Sequence, residues 1–214
     1  MTYHILIITS RYLVRYMKDT LKKPPENVSF CFVEYEKFAD LKAIYLENES
    51  WADGILTTGI VVQTVLERAI DKPLKPILSL DTDNESFYRI PLTLLIENRS
   101  LDPERIIFDV FVNVEPRASV LSLLDNKSIM DTFPDFSHWL SVATLEELYT
   151  VEDSTLKHIQ KLWEQDQIDL VICRYSSLVP RLKDLHIPCV FASGTDEYVR
   201  DVLQHLLAKI KIEK

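Results

Sequence analysis

Glycine is nearly missing from this sequence: of 214 residues, only Gly54, Gly59 and Gly194 are glycine. A G-x-G-x-x-G dinucleotide fingerprint and a phosphate-cradling P-loop both need closely spaced glycines, so neither can be written anywhere in the chain. Cysteine is equally scarce. Cys31, Cys173 and Cys189 each sit inside an apolar run ("SFCFV", "VICRY", "PCVF"). That placement predicts buried, unpaired thiols and a reducing, cytoplasmic location rather than a disulfide framework. The five histidines (His4, His138, His158, His186 and His205) fall at no metal-ligand spacing with one another or with the cysteines. No metal or organic cofactor is expected.

Long hydrophobic and basic runs are absent as well. No apolar stretch approaches the roughly 20 residues of a membrane span. The apolar "HILII" lacks the basic leader and length of a secretion signal and reads as a strand. Lysine and arginine number 24 against 33 acidic residues, a formal charge of -9. Such a chain repels a phosphate backbone, which argues against direct nucleic-acid binding by these residues. A DNA-binding or output domain outside them stays open, as does a homodimer.

What is present is alternation. Strand patterns at 3–9, 28–35, 52–58, 75–80, 105–114, 168–174 and 187–192 interleave with helical patterns at 11–23, 38–49, 61–70, 86–98, 152–167, 177–186 and 196–210. Residues 118–150 read as mostly helical. The helix at 152–167 is expected to start near Asp153 and Ser154. This alternation predicts an α/β fold with parallel sheets flanked by helices, a three-layer α/β/α arrangement.

A repeat organises the pattern further. "ADGILTT…KPILSLDTDNE" and "IDLVICRYSS…IPCVFASGTDE" each open on an Asp (Asp53, Asp169) and run into a strand, a polar loop and a helix. A proline-led strand follows (Pro76, Pro188), and then an acidic loop before another helix. Two similar lobes are expected, at 1–98 and 105–214, in a chelatase-like or periplasmic-binding-like arrangement. In open parallel sheets, ligands bind beyond the carboxyl ends of the strands. The expected ligand site is therefore a cleft between the lobes, lined by Ser10, Arg11, Thr57, Thr58, Gly59, Arg174, Tyr175, Ser176, Ser177 and Thr195. This set is rich in hydroxyls and has two cations, so it suits a small polar or anionic metabolite. Ser176 and Ser177 are expected to cap the following helix and to leave main-chain N–H groups for the ligand, with Arg174 as a fixed cation.

Two other readings stay open. "LDTDNES" ends an apolar strand in D-x-D, the way magnesium-dependent phosphatases present a nucleophile and an acid, so Asp81 and Asp83 define an enzyme alternative. The same acids also suit helix N-caps. A ligand-free protein-interaction module is the third reading.

Residues 168–207 resemble the receptor-domain family found at the N-terminus of PrpR, the bacterial propionate-catabolism activator. Asp169, Arg174, Leu182, Ile187, Pro188 and Tyr198 follow the family pattern, and Tyr175 stands where the family has glycine. The resemblance implies two chelatase-like lobes, an organic-acid effector held in the cleft, and control of an attached regulatory output. It implies a sensory domain of a bacterial transcription regulator, not an enzyme.

Overall fold

The computed structural model describes residues 2–81, 83–114, 119–124 and 134–213. The chain is α/β, with two parallel sheets flanked by helices. It divides into two compact units: Met1–Asp81 with Gly194–Lys214, and Thr82–Ser193.

Unit 1 is built on a four-stranded sheet in the order β2-β1-β3-β4. Its strands are β1 (Tyr3–Ser10), β2 (Val28–Tyr35), β3 (Gly54–Thr57) and β4 (Ile77–Ser79). Helices α1 (Val14–Thr20), α2 (Leu41–Asn48) and α3 (Ile60–Ala69) connect them. Ile5, Leu6, Ile7 and Ile8 of β1 are all fully buried. A strand covered on both faces has no solvent side, which is why "ILII" is continuous rather than alternating. Ile7 pairs with Phe32 on one side and Leu56 on the other.

Unit 2 holds a three-stranded parallel sheet in the order β5-β6-β7, formed by Ile106–Phe108, Leu170–Cys173 and Cys189–Phe191. Around it lie α4 (Asn84–Glu97), α5 (Pro134–Val142), α6 (Leu145–Glu164) and α7 (Leu178–Asp184). The last helix, α8 (Asp196–Glu213), belongs to unit 1.

The repeat holds at the level of individual hydrogen bonds. Asp53 and Asp169 donate their main-chain N–H to His4 and Arg105, at 2.7 and 2.8 Å. Ile55 and Val171 donate to the carbonyls of Pro76 and Pro188, at 2.9 and 3.0 Å. Leu80 and Ala192 donate to Thr57 and Cys173, at 2.7 and 2.9 Å. Each repeat aspartate also braces its neighbouring strand with its side chain. Asp53 accepts the His4 N–H at 2.9 Å, and Asp169 accepts from the Arg105 guanidinium at 2.9 Å.

The units differ from the split at 1–98 and 105–214 in two helices. α4 follows β4 of unit 1 yet packs on unit 2, with Phe87 against Phe108 (ring centroids 5.6 Å apart) and Ile90 and Leu94 against the same core. Conversely, α8 follows β7 of unit 2 but closes on unit 1, its Leu206 and Ile210 lying against Gly54 of β3. Helices go where their apolar face is buried, and chain order does not reveal which sheet supplies that burial.

Three local expectations change. The strand expected over 105–114 ends at Phe108, because Asp109 turns into a 3₁₀ segment, Asp109–Phe111. The helix expected from 152 starts at Leu145, where Thr144 and Glu147 form a capping box. All three thiols are free, but only Cys173 is fully buried, while Cys31 and Cys189 are half-buried. Much of 118–150 lies outside the described residues. Among the described residues, no helix is long and apolar enough to cross a membrane.

Candidate ligand-binding loops

The carboxyl end of the unit-1 sheet is assembled from β1 and β3. Thr9, Ser10 and Thr57 are almost completely buried and Thr58 nearly so. The Thr58 N–H donates to the Ile8 carbonyl at 3.1 Å, and its hydroxyl donates to Thr9 Oγ1 at 3.2 Å. The Thr57 hydroxyl donates to the Gly59 carbonyl at 3.3 Å. Gly59 has φ +134° and ψ 145° and stands at the N-cap of α3. A Cβ there would meet nothing within 4 Å. The residue is therefore glycine for its backbone shape, which L residues rarely adopt, and not for want of space.

Arg11 is less available than the sequence implies. Its Nη2 lies 2.6 Å from Glu36 and its Nε 3.4 Å from Glu34, so two carboxylates already face this exposed cation. Thr195 accepts the Tyr198 N–H at 3.2 Å and so caps α8. In the equivalent place, Asp83 accepts the Ser86 N–H at 2.6 Å and caps α4. Asp83 thus takes the capping role. Among the described residues, no three His, Cys, Asp or Glu side chains come together to hold a metal ion.

Unit 2 presents the loop after β6. Here the sequence expectation is corrected. The N–H groups of Arg174 and Tyr175 do not face outward for a ligand. They donate to the two carboxylate oxygens of Asp109, at 2.8 and 2.9 Å. Ser177 occupies the N-cap position of α7 but makes no side-chain cap. Its hydroxyl donates to the carboxylate of Glu152 on α6. Ser176 and Tyr175 are buried. The Arg174 guanidinium lies over the Phe87 ring, 4.9 Å from its centroid, which fixes the cation against an aromatic face.

Asp109 and Glu152 are the residues that the sequence reading missed. Burial is the main cause pushing the Asp109 carboxyl up to about 7, against the opposing main-chain N–H bonds from Arg174, Tyr175 and Val110. Burial likewise raises Glu152 to about 7, opposed by the Ser177 hydrogen bond and the charge of Arg181. The signals were a lone acid interrupting "RIIFDVFVNV" and an acid on the buried stripe Leu148, Val151, Glu152, Thr155, Leu156, Ile159. Buried carboxyls of raised pKa cluster at functional sites, though they also serve as internal braces.

Taken unit by unit, the structure gathers Ser10, Thr57, Thr58 and Gly59 at one sheet end, and Arg174, Tyr175, Ser176 and Ser177 at the other. None of these residues lines the surface groove of about 390 Å³ in unit 1, which is formed by the end of α1 and the start of α8. Lys22, Lys23, Arg200, Asp19 and Asp196 line that groove.

No protein-family model and no curated protein matches the sequence. Solved structures similar to it include two transcription regulators. One is the Escherichia coli transcriptional repressor AscG, with 11% identity over 98% of this chain and 92% of that one and a TM-score of 0.39. The other is a LacI family transcriptional regulator from Lactobacillus casei with bound glucose, with 12% identity over 89% and 80% of the two chains and a TM-score of 0.36. At these TM-scores neither likeness carries weight for fold or activity, which rest on this chain's own residues.

Proposed function

We propose that this chain is the effector-binding sensory domain of a transcription regulator, taking a small polar or anionic metabolite at the carboxyl-end loops of its parallel sheets. One observation carries the reading. The two units repeat the same strand register, and each closes with a helix that follows the other unit's last strand. Two connections, at 81–82 and 193–194, therefore join units that each present a polar strand-end loop. A ligand that favours one conformation of such a molecule shifts its population by the difference in affinity, and an output domain reads that shift.

The finer assignment, a PrpR-type receptor for an organic acid in the cytoplasm of a bacterium, rests on the resemblance at 168–207. Its Asp169 and Arg174 have physical roles that suit it. Asp169 ties β6 to Arg105, and Arg174 projects from a loop whose backbone Asp109 holds in place. Tyr175, where the family has glycine, is not among the residues with positive φ, so its backbone does not need one. The free thiols suit a reducing compartment.

A thermal-shift panel tests the proposal, with tricarboxylates such as citrate, dicarboxylates, amino acids, sugar phosphates and glucose as probes. A selective, concentration-dependent rise in melting temperature is expected for one chemical class. Magnesium-dependent hydrolysis of a phosphoester, abolished by Asp81→Asn, would replace the receptor reading with the enzyme one.

A further inference from the structure

Two of the three thiols share one face of the unit-2 sheet. Across the β6–β7 ladder Val171 pairs with Cys189, and Cys173 with Phe191. Side chains two residues apart on a strand point the same way, so Cys173 and Cys189 stand diagonally on one face. Their thiols are hydrogen-bonded to each other there. From α7, the Val179 carbonyl lies 3.9 Å from Cys189 Sγ, and Lys183, one turn further on, adds a positive charge. The two thiols are not equivalent. Cys173 is fully buried on the central strand, and its thiol is raised well above the ordinary range by the Cys189 hydrogen bond, by burial and by the nearby Asp109 carboxyl. Cys189 is half-buried on the edge strand of the three. Its thiol is lowered to about 7, first by the Cys173 hydrogen bond and then by Lys183, against its burial. Negative charge on the pair therefore rests on Cys189, with the Cys173 S–H donating to it. The thiolate is the nucleophilic form of cysteine, and partial exposure beside a cation is the setting in which it reacts.

We propose that Cys189 is a thiol-modification site for small anionic disulfides, with Cys173 as the positioning residue that holds the attacking sulfur as a thiolate. The Cys189 proton goes to solvent, and its sulfur attacks one sulfur of the reagent. The reagent's S–S bond breaks, one half leaves as a thiolate, and the other half stays on Cys189 as a mixed disulfide. Cys189 is oxidised and the departing half is reduced, so the step balances with no further oxidant. Lys183 favours an anionic reagent over a neutral one. Neighbouring strands lie about 4.8 Å apart and two residues rise about 6.6 Å, which puts diagonal α-carbons about 8 Å apart. A disulfide spans about 4.4–6.8 Å. Cys173 therefore holds the proton and does not displace the adduct by closing a disulfide of its own.

Reaction of the full chain with dithiobis-nitrobenzoate, a dianionic aromatic disulfide whose released thiolate is coloured, tests this. Peptide mapping after brief exposure should find Cys189 modified before Cys31. In a Cys31→Ser background, one thiolate should be released per chain. Its rate should rise with pH through a midpoint near 7. Cys173→Ala should move that midpoint to the ordinary thiol value of about 8.5 or above. Cys173→Ser, whose O–H still donates, should keep the midpoint below that of Cys173→Ala, and this rescue separates a proton donor from a mere packing residue. Matching circular dichroism spectra establish that the variants are folded. An inert Cys189, earlier modification of Cys31, an internal Cys173–Cys189 disulfide, or a midpoint indifferent to Cys173→Ala would overturn the proposal.

Discussion

The carboxylate of Asp109 does for Arg174 in unit 2 what a main-chain carbonyl does in unit 1. Arg174 N–H donates to Asp109 at 2.8 Å, while the equivalent Thr58 N–H donates to the carbonyl of Ile8 at 3.1 Å. β1 runs on to Ser10, so its backbone is there to receive the loop. β5 stops at Phe108, and a side chain takes over. The strand-end loop of unit 2 thereby rests on an ionisable group.

This makes stability depend on pH. Unfolded carboxyls titrate near 4, whereas Asp109 and Glu152 are raised to about 7 by burial. Between those values the native state keeps protons that the unfolded chain has lost. Stability from these groups is therefore full below pH 4 and falls as pH rises through 7, by at most about 1.4 kcal/mol per pH unit for each group. Urea unfolding should show a steeper loss between pH 5 and 8 in wild type than in Glu152→Gln, whose amide oxygen still accepts from Ser177. Parallel pH profiles would show that Glu152 does not titrate in this range.

The seating of α8 on unit 1 has its own test. A Cβ at Gly54 would lie 2.6 Å from Ile210 Cδ1 and 3.2 Å from Leu206 Cδ1. Gly54→Ala should cost about 1–3 kcal/mol by overpacking. Ile210→Val removes the nearest methyl and should cost about 0.5–1.5 kcal/mol alone. The double variant should be more stable than the sum of the singles. Additive losses in chemical denaturation would mean that α8 does not pack there.

The same comparison shows what was legible in the sequence. The Val28–Tyr35 strand, the proline-led strands and the repeated Asp were all readable, because local periodicity and turn residues encode them. The exchange of α4 and α8 was not, since "SFYRIPLTLL" and "VRDVLQHLL" carry apolar faces without saying which sheet they cover. The sequence places the loop Arg174–Ser177 at a strand end but does not reveal what holds it. Asp109 claims the N–H groups of Arg174 and Tyr175 from 65 and 66 residues away in sequence, and Glu152 claims the Ser177 hydroxyl from 25 away. Neither acid sits in a motif. Each stands out only once its burial is known.

Backbone conformation offers an independent check at two positions. His186 has φ +56° just past α7, where its N–H and that of Ile187 close the helix on Lys183 and Leu182, at 3.0 and 2.9 Å. Glycine is the usual residue there, so His186→Gly should stabilise the chain by about 0.5–1 kcal/mol. Gly59→Ala should do the opposite, by about 1–3 kcal/mol, because the strain is in φ and not in contacts. Thermal melts of both variants would decide.

The receptor reading is tested most directly by calorimetric titration of whichever probe raises the melting temperature into wild type and into Arg174→Ala. Both proteins should first show the same circular dichroism spectrum. An Arg174→Ala affinity at least tenfold weaker is predicted, because the guanidinium over Phe87 is the one fixed cation on the unit-2 loop. An unchanged affinity would contradict the account and place the ligand elsewhere on the molecule.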